Sequence, residues 1–184
     1  MRNLILLILC TFTLNVLVAQ QSHLAFLDSN TIETESITAN NFNTVFASPN
    51  SIYLKENRSI QFSSIVKQWK EKLATYSLKD TSVFDKSEKA TYNIIFKNKQ
   101  VDITANYDDN GKILSTNETY KNIKIPLELR IKISKKYPEC FFIKNYYHFT
   151  YNDKNGIEKQ YYQIQIGNRT EKITLKYNKN FKPI

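Results

Sequence analysis

The 184-residue sequence is poor in the residue types that build most catalytic and metal sites. It contains three glycines, two cysteines and two histidines. Gly111, Gly156 and Gly167 lie far apart, which excludes a phosphate-binding loop and a dinucleotide-binding fingerprint. His23 and His148 have no second ligand at the spacing of a metal site. We therefore expect no cofactor, no metal and no small-molecule ligand.

The first residues are typical of a secretory signal peptide. Arg2 is followed by an apolar run, Leu4 to Val18, and by the small residue Ala19. The run is shorter than the about 20 residues that span a bilayer. We expect residues 1–19 to be removed by cleavage after Ala19, leaving no transmembrane segment in Gln20–Ile184. The mature protein would then be periplasmic or secreted; the alternative is a single membrane anchor.

Cleavage would leave one cysteine, Cys140, because Cys10 lies within the signal peptide. No intrachain disulfide is then possible, although export places the protein in an oxidising compartment. Phe141 and Phe142 follow Cys140, which favours a buried, inert thiol over a reactive one. Stability must come from packing, for which about 165 residues suffice.

Positive charge is concentrated near the carboxyl end. The formal net charge is +9, and from Ile123 onward thirteen Lys and Arg stand against five Asp and Glu. Such a region can bind nucleic acid, an anionic envelope surface or an acidic protein. Export makes nucleic acid an unsuitable partner. The alternative without a binding role is that lysines fill the solvent face of a sheet and protect its edges from pairing.

A segment of 21 residues occurs twice. Tyr92–Lys112 aligns without a gap on Tyr162–Lys182, with eight identical positions. The shared apolar positions alternate on either side of a polar break, which predicts a duplicated β-hairpin.

The periodicity predicts a helix and several strands in each half. Val66, Trp69 and Leu73 fall at helical spacing after a capping serine, Ser63 or Ser64. The apolar residues between Pro126 and Pro138 alternate like a strand and also pair at helical spacing. We predict a helix there, because Pro126 suits a first helical position and the first half has an equivalent helix. Strands are predicted at about 91–97, 100–107, 113–120, 140–151, 157–167 and 171–178, and a short one around Ile52-Tyr53-Leu54.

These elements predict an α+β fold made of two tandem helix-plus-antiparallel-strand repeats. The repeats would share one curved antiparallel sheet with helices on one face. The first repeat would cover residues 61–122 and the second residues 123–184. Residues 20–60, with no clear period, would form an irregular lead-in.

The residues that mark the turns and helix ends resemble those of a known family. The series Tyr107-Asp-Asp-Asn-Gly-Lys, Ile125-Pro-Leu and Lys136-Tyr-Pro is similar to that of the PepSY-like family of exported bacterial proteins, in particular its Bacteroidetes-type members. These proteins are also described as similar to beta-lactamase inhibitory protein. The resemblance covers about residues 60–184 and implies tandem α-β units on one curved sheet. It transfers no binding residue to this chain.

Aromatic density suggests where a partner would bind. The chain has twelve tyrosines and eleven phenylalanines, and tyrosine is favoured at interfaces. We expect a non-catalytic module that binds another envelope protein and inhibits or regulates it. One alternative is a structural protein that binds anionic envelope polymer; another is an enzyme with a dispersed site using Asp108, Asp109 or Glu139. The candidate contact residues are Tyr146, Tyr147, Tyr151, Tyr161 and Tyr162.

Overall fold

A computed structural model describes residues 22–28, 49–57, 63–81, 84 and 89–184. The predicted signal peptide and much of the predicted lead-in lie outside these residues.

The strands form one sheet in the order of the sequence. Six of them, β2 to β7, pair antiparallel with their neighbours, and β1 lies parallel to β2 at one edge. The prediction of an antiparallel sheet with a few helices is confirmed. The strands are β1 (Ser22–Asp28), β2 (Thr91–Lys97), β3 (Val101–Tyr107), β4 (Ile113–Lys121), β5 (Phe141–Asn152), β6 (Gly156–Gly167) and β7 (Lys172–Asn178).

Two of the helices lie where the spacing predicts them. They are α2 (Ser64–Ala74), before β2, and α3 (Leu127–Lys136), between β4 and β5. A short 3₁₀ helix, Leu78–Asp80, follows α2. None of the helices in the described part of the chain is long and apolar enough to span a membrane.

The prediction of a strand around Ile52-Tyr53-Leu54 is wrong, because these residues belong to a helix, α1 (Ser51–Asn57). Ile52 is 58% exposed, whereas the adjacent Tyr53 and Leu54 are buried. Two consecutive buried residues suit one side of a helix and not the alternation of a strand. Three apolar residues were too few to distinguish the two periods.

The core lies between the helices and one face of the sheet. Along β2 and β3 every second residue is buried, which is the pattern of a sheet covered on one side. Trp69 of α2 packs edge-on against Phe96 of β2, with ring centroids 5.7 Å apart. Tyr107 of β3 donates a hydrogen bond from its hydroxyl to the carbonyl of Leu73, 3.0 Å away. Leu129 of α3 joins the same core.

Asn50, just before α1, ties three elements together. Its Nδ2 donates to the carbonyls of Ala74 in α2 and Gly111 in the β3–β4 turn, at 3.0 and 2.9 Å. Its Oδ1 accepts from the backbone N–H of Ile113 at 2.6 Å. The side chain is buried, as are Ala74 and Ile113, so these bonds satisfy polar groups inside the core.

Candidate functional site

The sheet has a second face, opposite the helices, to which the alternate residues of β2–β7 point. We call it the open face. Against this face the described part of the chain places no helix, and the side chains there are mostly polar and half-buried. On β6, for example, Tyr161, Gln163 and Gln165 point to the open face, whereas Tyr162 and Ile164 point to the core.

The structure divides the five candidate tyrosines between the two faces. Tyr147, Tyr151 and Tyr162 are core residues, with exposed fractions of 0%, 3% and 3%. Tyr147 packs against Tyr162 at 4.9 Å between ring centroids, and Tyr151 packs edge-on against Tyr53 at 5.1 Å. The expectation that these three contact a partner must be corrected, because the helix-facing side of β5 and β6 is the side that the fold buries.

Tyr146 and Tyr161 lie on the open face, where they flank His148. His148 is the direct cross-strand neighbour of Tyr161. The His148 and Tyr161 rings are stacked, with centroids 4.7 Å apart and planes 24° apart. The ring of Tyr146, two residues before His148 on β5, lies 6.1 Å from the imidazole with the planes 25° apart. The three rings form one row, which we call the tyrosine–histidine row. It groups two candidate tyrosines with a histidine that the sequence interpretation left aside.

Lysines surround this row. The Nζ of Lys144 lies 5.9 Å from the Tyr146 ring centroid, and that of Lys176 lies 5.9 Å from the Tyr161 ring centroid. Lys121 of β4 is the direct cross-strand neighbour of Tyr146, and Lys176 is the neighbour of Gln163 in the same line across the sheet. Each end of the row therefore has an ammonium group beside it.

The open face of β4–β7 has one sign of charge. Its alternating positions include five lysines, and within these four strands, all of which the structure describes, no Asp or Glu occupies an open-face position. Glu118 is the only carboxylate in β4, and it points into the core. Glu158 of β6 lies at an irregularity of the β5–β6 register and accepts a hydrogen bond from Asn155 at 3.0 Å. The five lysines are Lys121, Lys144, Lys159, Lys172 and Lys176.

His148 is held in a defined orientation and a defined electrostatic setting. Its Nδ1 lies 3.2 Å from the hydroxyl of Thr119 on β4. Half-burial of the ring, and secondarily the positive charge of Lys176, lower the pKa of His148 below its ordinary value of 6.5. The imidazole is therefore mainly neutral at pH 7 and gains a charge only under acidic conditions or when an anion approaches.

A second group of polar side chains lies in the core, centred on Glu118. Lys70 of α2 forms an ion pair with Glu118 at 3.0 Å between Nζ and Oε2. The hydroxyls of Tyr53, Thr116 and Tyr120 donate to the same carboxylate at 2.7, 2.7 and 2.6 Å. Lys70 Nζ also lies 3.2 Å from the centroid of the Phe149 ring. This Glu118 cluster joins α1, α2, β4 and β5.

The Glu118 cluster is closed to solvent. The side chains of Lys70 and Glu118 are 3% and 0% exposed. Burial lowers the pKa of Lys70 to about 8, although the Glu118 carboxylate opposes this shift. Because no substrate can reach these groups in the folded protein, their role in this structure is to fix the helices on the sheet. Sequence reasoning missed the cluster, although Lys70 falls within the buried Val66, Trp69 and Leu73 stripe of α2.

The acidic residues of the enzyme alternative do not converge. Asp108 lies in the β3–β4 turn, where its Oδ1 accepts from the backbone N–H groups of Asn110 and Lys112 at 2.9 and 2.8 Å. Glu139 is exposed in the connection between α3 and β5. In the described parts of the chain, no group of three or more His, Cys, Asp or Glu side chains could hold a metal ion. Cys140 is a half-buried free thiol against the core.

A groove of about 370 Å³ opens to solvent on the helix side, between α3 and the start of β5. It is lined by Leu127, Ile131 and Phe142 together with Arg130, Ser134 and Lys135. Leu127 and Ile131 are 60% and 45% exposed. The groove lies on the opposite side of the sheet from the tyrosine–histidine row.

No protein-family model, no curated protein and no solved structure matches this chain.

Proposed function

We propose that the protein is an exported, non-catalytic binding module of the bacterial cell envelope that contacts another envelope protein through the open face. Binding would inhibit or regulate that partner. The observation that carries the proposal is the position of Tyr146 and Tyr161. These large side chains lie half-exposed on a polar face instead of joining the aromatic core. Tyrosine combines a large contact area with a low loss of side-chain entropy, which suits a binding surface.

The dimensions of the open face suit a macromolecular partner. Six strands that average nine residues give a surface of roughly 850 Å², at ~4.8 Å between strands and ~3.3 Å per residue. A protein–protein contact of standard size buries about 800 Å² on each partner. A small molecule instead prefers a concave, largely apolar pocket, and the groove beside α3 lies on the other side of the sheet.

We further propose that the two halves are tandem repeats of one unit, as the resemblance to the PepSY-like family implies. Each half places a helix before its strands, α2 before β2-β3-β4 and α3 before β5-β6-β7. The sequence alignment itself covers one hairpin of each half, and in the second half β5 lies between the helix and that hairpin. Tyr92 and Tyr162, identical in the alignment, are both buried and face the helices, in β2 and β6 respectively. In the aligned segment, β2-β3 corresponds to β6-β7.

Hydrogen bonds in the turns support this duplication. Asn98 and Asn168 occupy equivalent positions after β2 and β6. The Oδ1 of Asn98 accepts from the N–H groups of Gln100 and Val101, and the Oδ1 of Asn168 accepts from those of Thr170 and Glu171. Each of these four distances is 2.8 or 2.9 Å. The two hairpins thus close in the same way.

The next pair of turns is equivalent as well, despite a difference in sequence. Asp108 and Asn178 each accept from the N–H groups two and four residues later. Gly111, with φ of 78°, corresponds to Phe181, with φ of 55°. A phenylalanine in this left-handed region is unusual, and its ring packs 6.1 Å from that of Tyr162. The same backbone is kept where the sequence no longer provides glycine, as expected of a duplicated unit.

A second candidate function follows from the five lysines of the open face. A structural protein could use them, with the rest of the basic carboxyl-terminal third, to bind an anionic envelope polymer. Such binding would weaken steeply between low and moderate salt, because exposed charges are screened. A specific protein contact with buried tyrosines would persist in high salt.

Photo-crosslinking tests the proposed contact surface. A photoreactive phenylalanine analogue replaces Tyr161 in one variant and the exposed Leu127 of α3 in a control variant. After irradiation in the cell envelope, we expect a discrete protein adduct from position 161 and not from position 127. Adducts from position 127 alone, or no protein adduct from position 161, would contradict the assignment of the open face.

A further inference from the structure

We propose that the tyrosine–histidine row, with Lys121 and Lys176, is a binding site for carboxylate side chains of an acidic segment in the partner protein, and that His148 takes up a proton when this segment binds. This inference rests on the proposed function and names both the chemistry of the partner and a form of regulation.

The charge around the row selects the ligand. Lys121 and Lys176 lie in one line across the sheet, with Tyr146 and Gln163 between them. Three steps of ~4.8 Å between strands place their backbones ~14 Å apart. An extended acidic segment that crosses the sheet could contact both ammonium groups. Because β4–β7 present no carboxylate on this face, nothing in these strands neutralises the lysines locally, and an anionic partner is complementary.

The geometry of the rings provides further donors. The Tyr146 and His148 planes differ by 25° and the His148 and Tyr161 planes by 24°, so neighbouring rings stand roughly parallel. The outer edge of the row can then offer two phenol hydroxyls and the second imidazole nitrogen. Lysine and protonated histidine have only donors, and a phenol hydroxyl can donate. Carboxylate oxygens are the acceptors that such a set matches.

His148 is placed to respond to the ligand. The charged side chains on the open face of β4–β7 are all positive: Lys121, Lys144, Lys159, Lys172 and Lys176. On β3, Asp102 points to the same face in line with Thr119 and His148, two strands from the ring, and it pairs with Lys97 at 3.4 Å. In the free protein, burial of the ring and, secondarily, the charge of Lys176 lower the pKa of His148 and so oppose its protonation. A bound carboxylate reverses the local charge and favours the imidazolium, which the neighbouring Tyr146 and Tyr161 rings also favour through cation–π contact. Binding must therefore strengthen as the pH falls from 8 to 5.5.

Isothermal titration calorimetry with poly-L-aspartate of about 20 residues tests the site, since its carboxylates (pKa about 3.9) remain largely ionised at pH 5.5. We expect the mature protein to bind it about five- to tenfold more tightly at pH 5.5 than at pH 8.0, which corresponds to a pKa rise of up to about one unit for one group. Repeating the titration at pH 6.5 in buffers of different ionisation enthalpy should reveal uptake of a fraction of a proton.

Three variants identify the groups. His148→Gln should abolish both the proton uptake and most of the pH dependence, whereas His23→Gln should change neither. Lys121→Gln/Lys176→Gln should weaken binding at least tenfold. The matched double variant Lys67→Gln/Lys135→Gln, which removes two exposed lysines from the helices, should leave it within twofold. Equal weakening by both lysine pairs would overturn the proposed site.

The ligand class has its own control. A polyuronate of equal carboxylate content tests a polysaccharide in place of an acidic peptide, and tighter binding of the polyuronate would overturn the assignment to a protein segment. Failure of poly-L-aspartate to bind, together with a protein adduct from position 161, would refute this inference and leave the proposed function standing. Absence of that adduct would count against the proposed function whatever poly-L-aspartate does.

Discussion

Removing the Lys70 and Glu118 charges together should destabilise the protein less than the sum of the two single removals predicts. Lys70→Met deletes the ammonium and leaves the Glu118 carboxylate buried with only hydroxyl donors. Glu118→Gln keeps the shape but replaces the carboxylate beside Lys70 by a neutral amide. Breaking a buried ion pair in this way costs about 3–5 kcal/mol.

The double variant Lys70→Met/Glu118→Gln contains neither charge. Its amide oxygen can still accept from the hydroxyls of Tyr53 and Thr116, which donate to Glu118 Oε1 at 2.7 Å. We therefore expect the double variant to be more stable than the sum of the two single changes predicts, by about 1–3 kcal/mol.

Urea unfolding of the protein comprising residues 20–184, followed by fluorescence, measures these differences. Trp69 is the only tryptophan, is 2% exposed and precedes Lys70 in α2, so its emission reports the same packing. The slope of unfolding free energy against urea should stay constant among variants if only stability changes. Single variants that each cost less than about 1 kcal/mol, with additive effects, would refute the account of a buried, interdependent ion pair.

Three further predictions concern the core and its titration. Tyr147→Ser should cost about 3–5 kcal/mol of unfolding free energy, whereas the neighbouring Tyr146→Ser should cost less than about 1 kcal/mol; similar losses in thermal melts of the two variants would show that the faces are misassigned. Asn50→Ala should lower the unfolding free energy by about 2–4 kcal/mol, because it removes the hydrogen-bond partner of backbone groups in α2 and the β3–β4 turn. A urea midpoint close to that of wild type would contradict this role of Asn50. In the folded protein the pKa of Lys70 is about 8, whereas its ordinary value is 10.5. Between pH 8 and 10.5 the unfolded chain therefore binds more protons than the folded one, so this group increasingly favours folding as the pH rises from 8. Above about pH 10 the buried tyrosines Tyr53 and Tyr120, whose pKa values burial raises, have the opposite effect. Relative to Lys70→Met, wild type should therefore gain unfolding free energy between about pH 8 and 9.5. Parallel plots of unfolding free energy against pH for wild type and Lys70→Met would refute this.

Strands β2–β7 could be predicted from the sequence because their signals are local. Strand β1, Ser22–Asp28, was not predicted, since residues 20–60 show no clear period. Alternation along β2 and β3 and the Asp109-Asn110-Gly111 turn are visible in a few residues each. The helix α1 could not be predicted from its own residues. Tyr53 is buried among residues that are distant in the sequence, including its hydrogen-bond partner Glu118, and not because of an apolar periodicity in its own segment. Local propensity contains no information about such a contact.

The faces of the tyrosines required pairing information, although part of the signal was present. On β5 both alternating sets contain aromatics, so that strand alone does not indicate which set is buried. On β6, however, Tyr162 alternates with Ile164, whereas Tyr161 alternates with Gln163. Pairing of Tyr147 with Tyr162 then assigns the β5 tyrosines as well. The pairing of Lys70 with Glu118 had no comparable signal, because the two residues lie 48 positions apart.

The most direct test of the open face as a binding surface is a capture experiment from a detergent extract of the source cell envelope, washed in high salt. Tagged wild-type protein, residues 20–184, is compared with Tyr146→Ser/Tyr161→Ser and with the control Leu127→Ser/Ile131→Ser, which changes two exposed side chains of α3. We predict one protein in stoichiometric amount with wild type and control, and its loss with the tyrosine variant while the circular dichroism spectrum is unchanged. Equal recovery with the tyrosine variant, or recovery only of material that high salt removes, would contradict a specific partner on this face.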